Sequence, residues 1–273
     1  MPSALLLALL AAPDGGSLLA RQVVITADHL DLDNKRQRAD YQGHAKAVRD
    51  STTLTCERLA VLFGSSNDVE RILALGNVVA VDGDRQAWGD EADYDNRTGV
   101  LVVRGNPRGR QGQREVTGET VTFTTGTDTL LVGRPHTVSK QERAGGGGTL
   151  VIDADSLTLV QSKAFATWKG HVRALRGPTL ITAPELDATW NEEGVITRML
   201  GRGGVDAVEP TRRARGERAD YDVEKGILVV TGKPEAHQGK NHMKGTRVTF
   251  FPDTDFVAVE NAVTLIEQEP KKK

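Results

Sequence analysis

The chain has 273 residues, with 35 Lys and Arg against 37 Asp and Glu, which gives a formal net charge of −2. This balance argues against a nucleic-acid-binding protein, which normally carries a basic excess or stripe, and no apolar run approaches the roughly 20 residues of a membrane-spanning helix. The single cysteine, Cys56, excludes an intramolecular disulfide and a cysteine-rich metal site.

The amino terminus carries a short apolar run from Ala4 to Ala12. The run is too short to span a bilayer, but its length and the small residues at its end are typical of the core of a secretory signal peptide. The positive segment that usually precedes such a core is missing. We therefore expect residues 1–20 to be a partial signal peptide.

The rest of the chain contains one pattern twice, at a constant offset of 127 residues. Ile25-Thr-Ala-Asp28 returns as Ile152-Asp-Ala-Asp155. Further pairs at the same offset are Gly43 with Gly170, Tyr94 with Tyr221, Gly99 with Gly226, Pro107 with Pro234 and Phe123 with Phe250. A duplication without a gap predicts two copies of one structural unit. We place them at residues 21–140 and 149–270, joined by a glycine-rich connector at 141–148 and followed by a basic tail at 271–273.

Both copies have the local pattern of β-strands. Val100-Leu-Val-Val103 and Ile227-Leu-Val-Val230 are rich in β-branched residues and lie between turn signals. The four-residue connections that end at Gly99 and Gly226 predict hairpins. No window has the apolar spacing of an amphipathic helix. Each unit is therefore expected to be nearly all antiparallel β, with many short strands.

The period of two along a strand predicts which side chains point inward. Tyr94 lies between Asp93 and Asp95, so its ring is expected on the face opposite the two carboxylates, toward the core. The phase of the apolar residues shifts after Asp28 and Asp155, which predicts a bulge or corner. The set singled out as inward-facing is Val23, Ile25, Tyr94 and Phe123 in the first copy and Leu150, Ile152, Tyr221 and Phe250 in the second.

The histidines give weak signals for a metal site. His237 and His242 are five residues apart near a predicted turn, without the helical spacing of common ligand pairs, so a solvated pair is favoured over a metal site. His44 and His171 each follow a glycine and are predicted to be turn residues that open a short strand. No metal or cofactor site is therefore predicted.

Two charged clusters each have a structural and a functional interpretation. The pairs Asp93/Asp95 and Asp220/Asp222 could supply the two carboxylates of a glycosidase, but their place before a hairpin in both copies favours turn capping. The basic run from Arg212 to Arg218 favours a charged edge strand that blocks aggregation. Its functional alternative is contact with lipid phosphates or with an acidic partner.

The order of the motifs resembles the LptA/OstA family of lipopolysaccharide-transport proteins. It runs as Ile-x-Ala-Asp-x-Leu-x-Leu, Tyr-x-Gly-x-Ala/Val, Gly-Asn-Val, Gly-x-x-Ala-x-Tyr-Asp, Gly-x-Leu-x-Val-x-Gly-x-Pro and Gly-x-x-Val-x-Phe. The series extends from Ile25 to Phe123 and again from Ile152 to Phe250. The second copy departs from it at Trp168, in place of Tyr, and at Gly203-Gly204, in place of Gly-Asn.

The resemblance implies an all-β fold, a tandem OstA/LptA-like β-jellyroll in which a V-shaped antiparallel sheet stack encloses an apolar groove. It also implies a non-enzymatic periplasmic carrier that shields the acyl chains of lipopolysaccharide between the inner and outer membranes. The partners implied are the lipid A part of lipopolysaccharide and LptC-like and LptD-like transport proteins, joined by pairing of edge strands. Head-to-tail self-association through the same edges would extend the groove.

The eight inward-facing residues named above are the side chains that we expect to contact acyl chains. They have the alternative role of ordinary core residues. The alternative function is a periplasmic scaffold that uses its strand edges without binding lipid. A carbohydrate-processing enzyme built on Asp93 or Asp220 ranks last.

Overall fold

The computed structural model describes residues 23–49, 51–65, 67–141, 148–191, 194–239, 241–251, 254 and 256–266. The expected signal peptide at 1–20, nearly all of the connector at 141–148 and the tail at 271–273 lie outside these residues. The described chain forms 24 strands and two short 3-10 helices, Thr125–Thr127 and Gln161–Lys163. Within it, no helix has the length and apolar character needed to cross a membrane. The predicted all-β fold is confirmed.

The chain divides into two compact units. The first takes the described residues up to 137 together with 158–163, and the second takes 138–157 together with those from 164 onward. The strands up to the boundary are β1 (Val24–Thr26), β2 (His29–Asp33), β3 (Arg38–Arg49), β4 (Thr52–Phe63), β5 (Val69–Asp82), β6 (Arg85–Asp95), β7 (Val100–Arg104), β8 (Arg108–Gln111), β9 (Arg114–Thr117), β10 (Thr120–Thr124), β11 (Thr129–Gly133) and β12 (His136–Gln141).

The strands that follow β12 repeat the succession of long and short strands, with residues 158–160 of β14 belonging to the first unit. They are β13 (Gly148–Asp153), β14 (Ser156–Val160), β15 (Phe165–Arg176), β16 (Thr179–Trp190), β17 (Ile196–Val208), β18 (Arg212–Asp222), β19 (Ile227–Thr231), β20 (Glu235–Gln238), β21 (Asn241–Lys244), β22 (Arg247–Phe251), β23 (Phe256–Glu260) and β24 (Val263–Ile266).

In each unit the sheet has two walls, and the long strands contribute to both. The first half of β3 pairs with β2 and its second half with β1, whereas the first half of β6 pairs with β8 and its second half with β7. We call the part of the sheet that contains β2, β7, β10 and β11 wall A, and the part that contains β1, β8 and β9 wall B. In the second unit β18 divides in the same way, between β19 in wall A and β20 in wall B.

The strands pass from one wall to the other at a Gly–X corner. Gly43 has a φ of +74° and His44 a φ of +45°, and the register of β3 against β4 shifts there, between Gln42 and Ala45. The backbone N–H of Asp28 donates to the Gly43 carbonyl at 2.9 Å. Positive φ at two successive residues gives the bend and favours glycine at the first of them.

This corner contradicts one prediction. Gly43 and His44 lie inside a strand of 12 residues, and do not form a turn that opens a short one. The same holds for Gly170 and His171 in β15. A turn and a bulge share the same Gly–X signal in sequence, and only the neighbouring strands distinguish them.

The corner recurs along each unit. Further Gly–X pairs with positive φ at both residues are Gly76-Asn77, Gly105-Asn106, Gly170-His171, Gly203-Gly204 and Gly232-Lys233. At Gly105, Gly170 and Gly232, as at Gly43, a backbone N–H of an earlier strand or loop donates to the glycine carbonyl at 3.0–3.1 Å. The corner predicted from the phase shift at Asp28 and Asp155 is thus confirmed, and it belongs to a series that bends both units.

The arginine-rich strand is not an edge strand. In the described sheet β18 pairs with β17 on one side and with β19 and β20 on the other. Its arginines alternate between two faces: Arg213 and Arg215 bind Asp206 on the outer face, while Arg212 is buried. The prediction of a charged edge strand was wrong, because central strands can also carry outward arginines when neighbouring strands supply carboxylates.

Candidate functional site

An unbroken row of apolar side chains crosses the inner face of wall A in the first unit. In cross-strand order it consists of Leu32, Ala39, Val61, Ile72, Tyr94, Leu101, Phe123 and Leu130. All of these are buried except Leu32, which lies on the outermost strand and is 65% exposed. The apolar face of the core therefore continues to the edge of the sheet.

The second unit repeats the row at the same offset. Its members are Ala166, Ala188, Met199, Tyr221, Leu228, Phe250 and Val257. All except the half-buried Val257 are buried. The sequence duplication has thus kept an interior surface as well as a strand order.

Wall B carries a matching row with smaller side chains. It runs through Ile25, Ala47, Leu54 and Ala80 in the first unit and through Ile152, Ala174, Ile181, Ala207, Ala214 and Ala236 in the second. Four of the six wall B residues in the second unit are alanines, whereas the wall A row there carries Met199, Tyr221 and Phe250. Each interior is apolar on both sides.

The residues expected to contact acyl chains fall on both walls. Tyr94, Phe123, Tyr221 and Phe250 lie in the wall A rows, and Ile25 and Ile152 in the wall B rows. Leu150 lies two residues before Ile152 in β13 and is buried with it. Val23 was also predicted to face inward, but it precedes β1 and is 37% exposed, because the pairing of β1 with β3 begins only at Val24. Tyr94 and Phe123 are connected through Leu101, which pairs with both.

The interior of the second unit is filled by its own side chains at one end. A cavity of about 10 Å³ lies between wall B residues, including Ala207, and wall A residues Leu228 and Phe250. This volume is about that of one water molecule. The same end carries Arg212, whose side chain is 3% exposed, pairs with Glu209 and lies 5.5 Å from the Phe250 ring centre.

Sequence reasoning missed the burial of Arg212. Its Nη1 atom donates to the Thr254 carbonyl at 3.1 Å, so an ion pair and a backbone acceptor together compensate the buried charge. Strand alternation in β18 could have predicted this burial, because Arg212 is two residues before the buried Ala214 and so shares its face.

The four aspartates have two different roles, and each pair contains one residue of each kind. Asp95 accepts a hydrogen bond from the Thr98 backbone N–H at 2.8 Å, and Asp222 accepts one from that of Lys225 at 3.0 Å, so turn capping is confirmed for these two. Asp93 instead binds Arg71 across the strands, at 2.8 Å from Nε, and its equivalent Asp220 binds Arg198 at 2.7 Å. The prediction of turn capping was therefore wrong for Asp93 and Asp220.

The carboxyl groups that cap the turns are poor candidates for general acids. The Thr98 backbone N–H is the largest influence that lowers the pKa of Asp95, and the Lys225 ammonium lowers the pKa of Asp222. A glycosidase general acid needs the opposite, a raised pKa.

His237 and His242 face each other across the β20–β21 hairpin. Their rings are stacked, with centroids 4.2 Å apart and planes inclined by 9°. His237 is exposed, but the Nε2 atom of His242 is buried. The sequence had suggested a solvated pair. That prediction was wrong for His242, because its Nε2 atom is buried.

Comparison with known proteins assigns the chain to a family. Residues 24–129 and 151–256 match the family described as LptA/(LptD N-terminal domain) LPS transport protein. The two matches cover more than half of the chain and coincide with the two repeats, so the chain belongs to this family and contains its unit twice. The resemblance found in the motifs is confirmed, and the protein has a role in lipopolysaccharide transport.

One solved structure is similar to part of the chain. The chain is similar to LptH from Pseudomonas aeruginosa, described as the LptA homologous periplasmic component of the conserved lipopolysaccharide transport device. The identity is 15% and the TM-score 0.41, over 44% of this chain and 95% of that one. A search of curated proteins gives no match.

Proposed function

We propose that the protein is a periplasmic carrier that shields the acyl chains of lipopolysaccharide in the interiors of its two units during passage from the inner to the outer membrane. The observation that supports this most directly is the apolar row of wall A, which occurs in both units and in the first unit reaches the sheet edge at Leu32. Each CH₂ group of an acyl chain removed from water contributes about 0.8 kcal/mol. Binding of this kind needs no specific polar contact.

Lipid entry requires the walls of a unit to separate. Tyr94 and Phe123 are 1% and 0% exposed, so an acyl chain touches them only after displacing side chains of the opposite wall. Hydrophobic contact is non-directional, and an acyl chain can replace a side chain without exposing apolar surface to water. The exposed Leu30 and Leu32 on β2 offer a place for entry to begin.

The terminal edges support binding of partner proteins. In the described sheet β1 and β2 pair with β3 alone, and β24 pairs with β21 alone. Val24 on β1 and Val263 on β24 are 56% and 71% exposed. Exposed apolar edge strands accept a further strand from another chain. We infer that LptC-like and LptD-like proteins, or a second copy of this chain, join at these edges.

Photocrosslinking in cells tests the proposal. A photoreactive residue at Ile25 reports on the first interior and one at Ile152 on the second, while Arg97, an exposed residue in the turn after β6, is the control. We expect lipopolysaccharide adducts at Ile25 and Ile152 and none at Arg97. An adduct at one position alone would limit transport to one unit.

The same experiment distinguishes the alternative, a scaffold that works through its strand edges. Protein adducts at a probe on Val263, together with no lipid adduct at Ile25 or Ile152 in a folded periplasmic protein, would overturn the carrier proposal in favour of the scaffold. The observation that favours this alternative is the exposure of Val263 on its strand edge.

A further inference from the structure

Three side chains with metal-binding atoms converge on one face of the β20–β21 hairpin. His237 and His242 are direct cross-strand partners, and Glu235 lies two residues before His237, so all three share a face. One ligand atom from each residue lies within 4.8 Å of those from the other two. These residues belong to the second unit and lie apart from the apolar rows.

The cluster leaves one buried atom unsatisfied. Among the described residues, the Nε2 atom of His242 has no hydrogen-bond partner. The Oε2 atom of Glu235 is 3.7 Å from it, which is beyond hydrogen-bonding distance. The other carboxylate oxygen of Glu235 is 2.7 Å from the Lys244 ammonium, which orients the group. A buried polar atom without a partner is uncommon and often marks an ion or water.

The first unit lacks the cluster. At the corresponding positions of the β8–β9 hairpin, 127 residues earlier, the chain has Arg108, Arg110 and Glu115. There Arg108 donates to Glu115 at 2.6 Å, an ordinary cross-strand ion pair. The hairpin therefore forms without histidines, and the ligand set distinguishes the second copy from the first.

We propose that Glu235, His237 and His242 form a binding site for Zn²⁺, with water in the remaining position. Two imidazoles and one carboxylate are a ligand set that zinc accepts when a fourth position stays open. Zinc–ligand bonds of roughly 2.0–2.2 Å require the lone pairs to point at the ion, so the His237 ring must turn out of the stack. Its exposed position leaves room for that rotation.

A bound ion would join β20 to β21, and β21 is also the neighbour of β24. His242 pairs with Leu265 of β24 on its other side. Zinc would therefore stiffen the wall B edge of the second unit, where β24 lies. This role is independent of lipid transport and of its tests.

Isothermal titration calorimetry of the full chain, without a histidine tag and freed of metal by chelation, tests the site with Zn²⁺ itself. We expect one zinc ion per chain. Loss of a group that merely supports a metal ligand typically weakens binding about 10–100-fold, so His237→Ala, His242→Ala and Glu235→Gln should each weaken it by at least about 100-fold. His171→Asn is the matched control, because among the described residues His171 pairs with one carboxylate, that of Asp155 at 2.8 Å, and it should leave the affinity unchanged.

Thermal unfolding provides a second measurement. Zinc should raise the Tm of the parent chain and of His171→Asn, but not that of His237→Ala, whose exposed position makes a folding defect unexpected. Absence of zinc binding to the parent chain would overturn the proposal. So would binding that survives all three ligand substitutions, or that His171→Asn abolishes equally.

Discussion

The Nη1 atom of Arg176 donates a hydrogen bond to the hydroxyl of Tyr221 at 2.7 Å, and so connects the two walls of the second unit. Arg176 ends β15 in wall B, whereas Tyr221 lies in the wall A half of β18. A polar bond between otherwise apolar surfaces gives the closed interior a defined spacing. It also gives a measurable contribution to stability.

Tyr221→Phe should lower the free energy of unfolding by about 1–2 kcal/mol, because the variant loses a hydrogen bond to a charged group. The control is Tyr41→Phe, since the half-buried Tyr41 has no hydrogen bond from its hydroxyl among the described residues. Urea denaturation measures both. Equal losses in the two variants would mean that the Arg176 bond contributes nothing.

Gly118→Ala should destabilise the first unit by about 1–3 kcal/mol, the usual cost of overpacking. A Cβ atom at Gly118 would lie 2.5 Å from Val132 Cγ1 and 2.7 Å from the Gly133 carbonyl oxygen. Gly126→Ala is the control in the same unit, because nothing lies within 4 Å of a Cβ atom there. Equal midpoints for the two variants in thermal unfolding would contradict this close approach of Val132 and Gly133 to Gly118.

His44 should titrate above its ordinary pKa of about 6.5. The Asp28 carboxylate, 2.7 Å from Nδ1, raises the pKa of His44 by hydrogen bonding. A raised pKa in the folded state means that the pair stabilises the protein fully below pH about 6.5, and that the effect declines as pH rises through the folded pKa. Proton NMR of the His44 ring checks this, and Asp28→Asn should return the pKa to its ordinary value. An unchanged pKa in that variant would show that Asp28 is not the cause.

Cys56 should react slowly with thiol reagents in the folded protein. Burial raises the pKa of its thiol to about 11, so the reactive thiolate is scarce near neutral pH. Labelling with a chromogenic disulfide should be fast only after denaturation. Ser51→Cys places an exposed thiol in the same unit and should add one equivalent of fast labelling. Fast labelling of native Cys56 would contradict the packing of β4.

The duplication and the strand period were enough to predict much of the interior. Because inward and outward side chains alternate, Tyr94 and Phe123 could be assigned to one face, and the constant offset carried the assignment to Tyr221 and Phe250. All four are buried in the wall A rows. The alternation along a strand and the repeat can both be recognised in a single sequence.

The remaining features depend on contacts between distant segments. Gly43-His44 has the local signal of a turn, and only its register against β4 shows that the strand continues through a corner. The burial of Arg212 likewise depends on the Thr254 carbonyl, which lies 42 residues later. The pairing of Asp93 with Arg71 requires two strands to be aligned first. The periodicity of the sequence does not show which distant residues come into contact in the fold.

The central claim, that acyl chains enter the interior, can be tested with tryptophan fluorescence. Trp168 is 3% exposed and lies beside the wall A row, paired with Leu186. Trp88 follows Ala87, which is the cross-strand partner of the wall B row residue Ala80, so Trp88 lies on the outer face of wall B, where Arg108 covers its ring at 5.0 Å. Chains that retain only Trp168 or only Trp88 therefore report separately on an interior and on an outer surface.

Lipopolysaccharide with brominated acyl chains quenches tryptophan only at close contact, so titration of the two single-tryptophan chains measures entry directly. The carrier account predicts saturable quenching of Trp168 and little quenching of Trp88. A third chain, with Tyr41→Trp as its sole tryptophan, extends the measurement to the equivalent position of the first unit. Bound lipid that leaves Trp168 and the residue at 41 unquenched, or that quenches Trp88 equally, would contradict the account.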